Sequence, residues 1–513
     1  RTNDTRGWRI KYYKGLGTST SQEAKEYFKN ITDLTVGFEV DELAQKSIVL
    51  AFDKKRADSR KTWLLENSDK ELEVDYGNVK SLGISEFVHN DLINFSLADL
   101  KRSIASMCDG LKPSQRKVIH ASFQKNLKDE MKVAQLAAYV SEKTSYPPGE
   151  VSLADTIVKL APDYVGSNNV NLLEPCGQFG TRLMGGKDAS QTRYIFTKLT
   201  PNARKMFDQR DDNVLTYLSD DGKIIEPEYF VPVLPMVLIN GTEGIGTGFS
   251  TYVPPFNPDD VRDNIMAALG GEKLKPMVPW FKGFKGTIRK NDDGVWVARG
   301  CYSRISGDDY LITELPPGRW TQDFKEHLDS LSEKKIIGGY KNNSTTEQVR
   351  FVVYDYMGNN HTKDFKMEKT IHTTNMHLFH PTQGIKKYAT PEAILTDFLE
   401  IRISYYKKRK QYLLKQLERQ SLIASKKALF VQMVVDGDIV VFRRKKDDLV
   451  KELDTIFPRI DDSFDYLLNI RTHQYTEEAI EKLTKEASDA SDELTTLKGT
   501  GIVDMWKTDI IKS

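Results

Sequence analysis

The segment GGKDASQTRYIF, Gly185 to Phe196, sets Arg193 beside Tyr194 directly after a loop rich in glycine and charge. A phenol with a pKa of about 10 is mostly protonated at neutral pH, so a tyrosine acts as a nucleophile only where a base or a nearby positive charge helps it. Arg193 can supply that charge. Tyr194 is nonetheless one of 22 tyrosines, and residue type alone leaves it either a packed aromatic or a nucleophile. A second concentration of chemistry lies between Lys101 and Lys143, where basic residues outnumber acidic ones. Within it DGLKPSQRKVIHASF reads as a turn at Asp109 and Gly110, Pro113 in a first helical turn, then Val118, Ile119 and Phe123 among basic residues. One buried face and one cationic face would suit a helix docked on duplex DNA. A third stretch, VLINGTEGIGTGF, places Gly244, Gly246 and Gly248 after an apolar run expected as a strand. A dinucleotide site is excluded there. Its third glycine falls one residue early, and Pro254, Pro255 and Pro258 prevent a regular helix from continuing through the segment.

These groups need a large frame. A chain of 513 residues exceeds a single hydrophobic core, and roughly three or four domains are expected. Lys and Arg total 74 against 73 acidic residues, a net charge of +1. Any nucleic-acid surface must therefore be a local concentration of charge. Neither an apolar run of about 18 residues nor a signal peptide is present, which excludes a spanning helix. The first residues, RTNDTRGWRI, lack a methionine and suggest a fragment or a processed product. Cys108, Cys176 and Cys301 fit neither a disulfide framework nor a close-spaced zinc site, and point to a reducing compartment.

The opening WRIKYYKGLGTSTSQEAKEYF reads as a strand through Tyr13, a turn at Gly15 and Gly17, a Ser/Thr cap and a helix from about Gln22 to Phe28. From Thr35 to about Asn90 the chain is charged and weakly helical, as a solvated connector would be. Trp280 to Glu314 alternates β-rich runs with glycine and aspartate turns. Ile394, Phe398, Ile401 and Tyr405, and later Ile480, Leu483, Ala487, Ala490, Leu494 and Leu497, step by three and four. Two such seams predict an antiparallel coiled coil carrying a small head between about Val434 and Ile470.

Three stretches, KYYKGLGTST, DGLKPSQRKV and EPCGQFGTRLMGGKDASQTRYIF, resemble those of type IIA DNA topoisomerases. The likeness continues in order through LINGTEGIGTGFSTYVPPFNP to DMWKTDI and so covers essentially the whole chain. In bacterial members the first two stretches lie on different polypeptides, so one chain carrying both favours the eukaryotic-type branch, cellular or viral. The resemblance implies a multidomain α+β fold. Residues 1–36 would end a Toprim α/β domain, 37–91 would be the charged connector and 92–234 a winged-helix domain. A β-rich tower would follow over 235–390, and a long antiparallel coiled coil with a helical dimer-gate head over 391–513.

The same resemblance implies a DNA breakage-reunion core that opens one duplex through 5′-phosphotyrosyl links and passes another through. Tyr194 matches the catalytic tyrosine and Arg193 the neighbouring transition-state arginine, whose guanidinium fork suits charge on phosphate oxygens. Exchanging one phosphodiester for another is nearly isoenergetic, so the break can be resealed. Lys112, Arg116 and Lys117 match basic positions that hold phosphates without reading sequence. Gln178, Gly180 and Arg182 fit a loop beside the cleaved DNA, and Lys187 and Lys14 would contact its backbone. Ile245 matches an apolar wedge that enters a base step and bends the duplex. The implied partners are double-stranded DNA, a second copy of the chain, and Toprim and ATPase segments that this chain lacks. Those segments would supply the Mg²⁺ ligands, from the GDS and DxD motifs, and the ATP site. The expected location is the nucleus for a cellular enzyme and the host cell or virion for a viral one.

Two departures narrow the reading. The aspartate pairs at Asp211–Asp212 and Asp292–Asp293 are expected as solvated loops rather than metal ligands. Where the family usually has histidines this chain reads SYPPGE, with Pro147 and Pro148; neither can titrate or donate a hydrogen bond, so no histidine role is carried over. The rival reading is a DNA-bending dimer module that keeps the winged helix, wedge and arm but does not cleave.

Overall fold

The structure is a computed structural model that describes residues 7, 19–70, 72–77, 79–146, 149–471 and 475–512. Lys14, the strand expected through Tyr13, and Pro147 and Pro148 lie outside the described residues. The chain divides into two compact units, 1–103 with 245–250, and 104–244 with 251–513.

In the first unit the cap expected from the Ser/Thr run is present. Thr20 Oγ1 accepts from the Glu23 amide at 3.3 Å while Glu23 Oε2 accepts from the Thr20 amide at 2.6 Å, starting the helix Ser21–Lys29. The charged stretch after it differs from the connector expected. It folds as a parallel strand pair, Gly37–Glu39 with Ser81–Gly83, beside the helices Ala44–Phe52 and Ala57–Glu66. Ala44, Trp63, Leu64, Leu82, Val88 and Ile93 are buried among them. Even Arg60, in the run read as solvated, is buried and donates to the carbonyls of Leu50 and Asp53 at 3.0 and 2.8 Å. Long cationic side chains bury their stems where backbone acceptors lie within reach, and charge density in sequence cannot show that.

In the second unit the helices Pro113–Gln124, Val133–Thr144 and Glu150–Lys159 pack together, with the hairpin Tyr217–Asp220/Lys223–Pro227 against the first two. The DGLKPSQRKV stretch starts this packing. Gly110 has φ +68°, and a Cβ there would stand 2.7 Å from the Val237 backbone, so a glycine is needed for the turn. Pro113 opens its helix, and the Gln115 side chain accepts from the Lys112 amide at 2.9 Å. The helix does not show the cationic face expected of it, because Arg116 and every residue from Val118 to Phe123 are buried.

The short helix Met236–Asn240 stands where a strand was expected. Pro258, read as a barrier, instead occupies the first turn of the helix Pro258–Leu269, capped by Asn257, where its missing N–H costs nothing. Beyond it lie a three-stranded sheet, in the order Glu368–Ile371, Trp296–Arg299, Thr287–Lys290, and a four-stranded one, in the order Cys301–Ser306, Asp309–Glu314, Phe351–Tyr354, Gly339–Asn342. Both are antiparallel throughout.

The helix Pro391–Val435, 45 residues long, packs along Glu477–Gly499. Lys410 Nζ reaches the carbonyls of Lys498 and Thr500, while Phe430 lies beside Tyr475, so the two helices run antiparallel. Phe430, Ile439, Leu453, Phe457, Phe464 and Leu467 form the separate core of the head. At the root, Arg402 and Arg409, both fully buried, meet Asp211, and Arg409 Nη1 donates to Asp509 of the helix Ile502–Lys512 at 2.5 Å. The expectation of a solvated Asp211 is thereby corrected: its charge is needed by two buried guanidiniums. Asp212 pairs with Arg204, whereas Asp292 and Asp293 do sit in an exposed turn.

Candidate active site

Tyr194 stands on a turn fixed from below. The amides of Val133 and Ala134, at the start of the helix Val133–Thr144, have no intrahelical acceptor and donate to the carbonyls of Ile195 and Thr192, at 3.0 and 3.2 Å. Phe196–Thr197 pairs antiparallel with Met131–Lys132, and Phe196 also exchanges two backbone bonds with Cys176. Ile195 is buried between these ties, so its neighbour is turned outward: Tyr194 is 65% exposed. The Arg193 guanidinium lies 4.9 Å from the centre of the Tyr194 ring. An exposed phenol with a cation over its ring is accessible to an anionic substrate and keeps positive charge at hand.

The loop before it closes on itself. Thr181 donates through its amide and hydroxyl to the two oxygens of Asp188, at 2.9 and 2.7 Å. Gly186 donates to the Thr181 carbonyl and Ser190 to that of Gln178. Gly180, Gly185 and Gly186 all have positive φ, and a Cβ at Gly180 would sit 2.5 Å from Gly186 Cα. Gln178 and Lys187 are exposed on this loop. Beside it opens a cavity of about 1120 Å³, lined among others by Arg193, Lys187, Lys159, Lys369, Tyr164 and Trp320. Burial and the nearby Arg319 guanidinium hold the Lys369 ammonium below its usual pKa, and its Nζ donates to the Pro317 carbonyl at 2.9 Å. Lys159 and Lys369 carried no motif, and only the fold brings them to the loop.

Three residues expected at the DNA are otherwise engaged. Arg116 is 5% exposed and donates to both Asp109 oxygens at 2.7 and 3.1 Å, and to the Leu111 carbonyl at 2.8 Å. Lys117 Nζ is held between Glu226, at 2.8 Å, and the Thr144 carbonyl, at 2.6 Å. Arg182 is buried against Glu314 at 2.5 Å. A guanidinium buried against a carboxylate has its charge met inside the protein and little surface to offer a phosphate. Lys112 is half-buried without an ion-pair partner among the described residues; burial lowers its pKa, Glu243 opposes that shift and Lys159 adds to it. Ile245 is 87% exposed at a tip closed by the Gly246 amide on the Phe249 carbonyl. Asp99 accepts from the Thr247 amide at 2.9 Å and steadies this tip.

The family model for the DNA gyrase/topoisomerase IV A-subunit matches residues 102–511, and that for the C-terminal associated domain of TOPRIM matches residues 1–100. The chain belongs to the type IIA DNA topoisomerases. It is 45% identical over 478 residues to DNA topoisomerase 2 of Arabidopsis thaliana, covering 88% of this chain and 32% of that protein. It is 41% identical to DNA topoisomerase 2 of Penicillium chrysogenum, covering 98% and 34%. It thus spans about a third of the length of these relatives. The crystal structure of the Plasmodium falciparum topoisomerase II DNA-binding, cleavage and re-ligation domain superposes with a TM-score of 0.85 at 41% identity, covering 99% of this chain and 74% of that one. Both halves of the topoisomerase pattern on a single chain make this the eukaryotic type.

Among the described residues no three His, Cys, Asp or Glu side chains converge to hold a metal ion, so those residues do not fit the Mg²⁺ that the sequence resemblance implies.

Proposed function

We propose that this chain is the breakage-reunion core of a homodimeric type II topoisomerase. The observation that carries the reading is Tyr194, exposed with Arg193 over its ring on a loop closed by its own hydrogen bonds. Tyr194 Oη attacks a backbone phosphorus, the phenolic proton leaves, and the 3′-oxygen departs as a hydroxyl, leaving the 5′-phosphate on the tyrosine. Attack by that 3′-hydroxyl on the phosphotyrosyl bond reverses the step. Arg193 binds the phosphate oxygens as their charge grows. Lys187 and Gln178, with Lys159 and Lys369 across the cavity and Lys112 nearby, hold the duplex backbone without reading bases. Ile245 enters a base step and bends the duplex.

The proposed division is a Toprim-associated part ahead of a winged helix that runs to about residue 234, a tower over 235–390, and an arm and gate over 391–513. A double-strand break needs two tyrosines, so a second copy joins through the head. Val440 and Phe442, 54% and 66% exposed there, give it apolar surface. Mg²⁺ and ATP would act from segments outside this chain, and the location would be the nucleus of a eukaryotic cell. The test uses the longer polypeptide that carries the metal-binding acidic residues, incubated with supercoiled plasmid and trapped with detergent. Protein linked to DNA 5′ ends is expected from the parent and none from Tyr194→Phe, with duplex affinity within about twofold. Residual 5′-linked protein in that variant would overturn the assignment. Plasmid bending by the parent without covalent capture would point instead to an architectural module.

A further inference from the structure

The tyrosine loop is gripped on its outer side by residues that begin more than a hundred positions downstream. Glu314, the last residue of the strand Asp309–Glu314, receives Arg182 Nη2 at 2.5 Å, with side-chain exposures of 1% and 7%. Glu314 Oε1 also accepts from the Leu315 amide at 2.9 Å, and Oε2 from the Lys285 amide at 3.2 Å, so the carboxylate is itself held rigid. The amides of Thr321 and Gln322, at the start of the helix Thr321–Glu333, donate to the carbonyls of Arg182 and Leu183 at 3.3 and 2.9 Å. Trp320, just before that helix, lies so close over Gly185 that a Cβ there would stand 2.3 Å from the indole. Tyr164 meets the Trp320 ring edge-on at 5.9 Å.

We propose that Glu314, acting through Arg182, and Trp320, acting through Gly185, are positioning residues that set where the Tyr194 oxygen stands relative to the scissile phosphate. This rests on the cleavage reading above. The loop transmits position because it is closed. Arg182 adjoins Thr181, Thr181 is tied to Asp188 and Gly186, and Ser190 is tied to Gln178, four residues before the nucleophile. A shift at Arg182 therefore reaches Tyr194 without being absorbed by a free segment. A misplacement of about 1 Å at a reacting atom costs on the order of 100-fold in rate. Neither Glu314 nor Trp320 needs to touch DNA for this.

The test has two arms. In this chain alone, hydrogen exchange at the Gly186 and Ser190 amides should quicken at least ~10-fold in Glu314→Gln, with the Phe196 amide unchanged. In the longer polypeptide, the single-turnover cleavage rate at saturating duplex should fall ~10-fold or more in Glu314→Gln, Arg182→Lys and Trp320→Phe, with duplex Kd within ~2-fold. The double variant Arg182→Lys/Glu314→Gln should cleave no more slowly than the worse single variant, since both break one link. Trp320→Phe leaves the buried ion pair intact and guards against a folding defect. Unchanged loop exchange would overturn the proposal, as would cleavage that falls only with the folded fraction. A weaker Kd with a flatter salt slope in Arg182→Lys would overturn it too, by returning Arg182 to a phosphate contact. If the parent polypeptide forms no covalent complex, the cleavage reading fails, while the exchange arm still decides whether Glu314 fixes the loop.

Discussion

Replacing Arg116 by methionine separates a folding role from a DNA-binding one. The substitution strands Asp109, which is 0% exposed and whose oxygens also accept from the Leu111 and Phe230 amides, both at 2.9 Å. Breaking a buried pair by removing one partner costs about 3–5 kcal/mol, because the other charge is left uncompensated. For a cooperative unit of roughly 150–250 residues, each kcal/mol lowers the midpoint by about 2–4 °C, so a fall of roughly 6–20 °C is expected. Differential scanning fluorimetry reads this directly. Adding Asp109→Asn should recover part of the loss, because the amide oxygen still accepts one backbone N–H while the buried charge is gone. Below both midpoints, duplex affinity by fluorescence anisotropy should match the parent within about twofold, with the same salt dependence. An unchanged midpoint with weaker binding and a flatter salt slope would refute the reasoning and restore Arg116 as a phosphate contact.

His120 is 6% exposed with Nε2 unpartnered, and burial, reinforced by Arg204 and Lys117, lowers its pKa to about 4. The unfolded chain, with an ordinary value near 6.5, binds this proton first, so stability is fully present above about pH 6.5 and drains away as pH falls towards 4. The loss is on the order of 3 kcal/mol. His120→Phe should flatten the urea midpoint across that window, and an equally steep fall in the variant would exclude His120 as the source. Arg409→Met leaves Asp211 and Asp509 short of a partner and should expose the helix Ile502–Lys512 to protease before the rest of the chain; cleavage elsewhere first would refute that. Deleting residues 421–475 and bridging the two helices should leave DNA binding intact and abolish dimers in light scattering at micromolar concentration, and a persisting stable dimer would place association elsewhere.

Local signals in the sequence survived where the physics is local. The Thr20–Glu23 cap spans three residues, and the coiled-coil seams repeat within one helix, so both were legible. The loop around Tyr194 was legible as exposed because glycines and charges cluster there. The internal partners of Arg116, Lys117 and Arg182 were not legible, and in two cases they lie far along the chain: Glu226 lies 109 residues from Lys117 and Glu314 132 from Arg182. Asp109 is only seven residues from Arg116, but nothing in the local pattern shows that the turn buries it. Basic residues look alike in one dimension whether they face a phosphate or a buried carboxylate. Lys159 and Lys369 were missed for the converse reason, since isolated lysines acquire meaning only when folding sets them around one cavity. The stretch 35–90 looked like a connector because its apolar residues follow no sustained period, and only some of them, Ala44, Trp63, Leu64, Leu82 and Val88, are spent on a small core while Phe38, Val40 and Phe52 stay exposed.

Both legs of the long arm are rooted beside one ion cluster, with Arg402 and Arg409 on the outgoing helix and Asp509 just past the returning one. Trp506 completes that root, stacked on Tyr406 and donating to the Val233 carbonyl at 3.0 Å. Such an arm is a lever with a short, stiff fulcrum. From Arg409 to Val435 the helix extends roughly 39 Å at about 1.5 Å per residue, so a tilt of about 10° at the root would swing the head by about 7 Å. Rotations of a few degrees at the charged hub would thus be read out as ångström-scale travel at the far end, with no helix needing to bend.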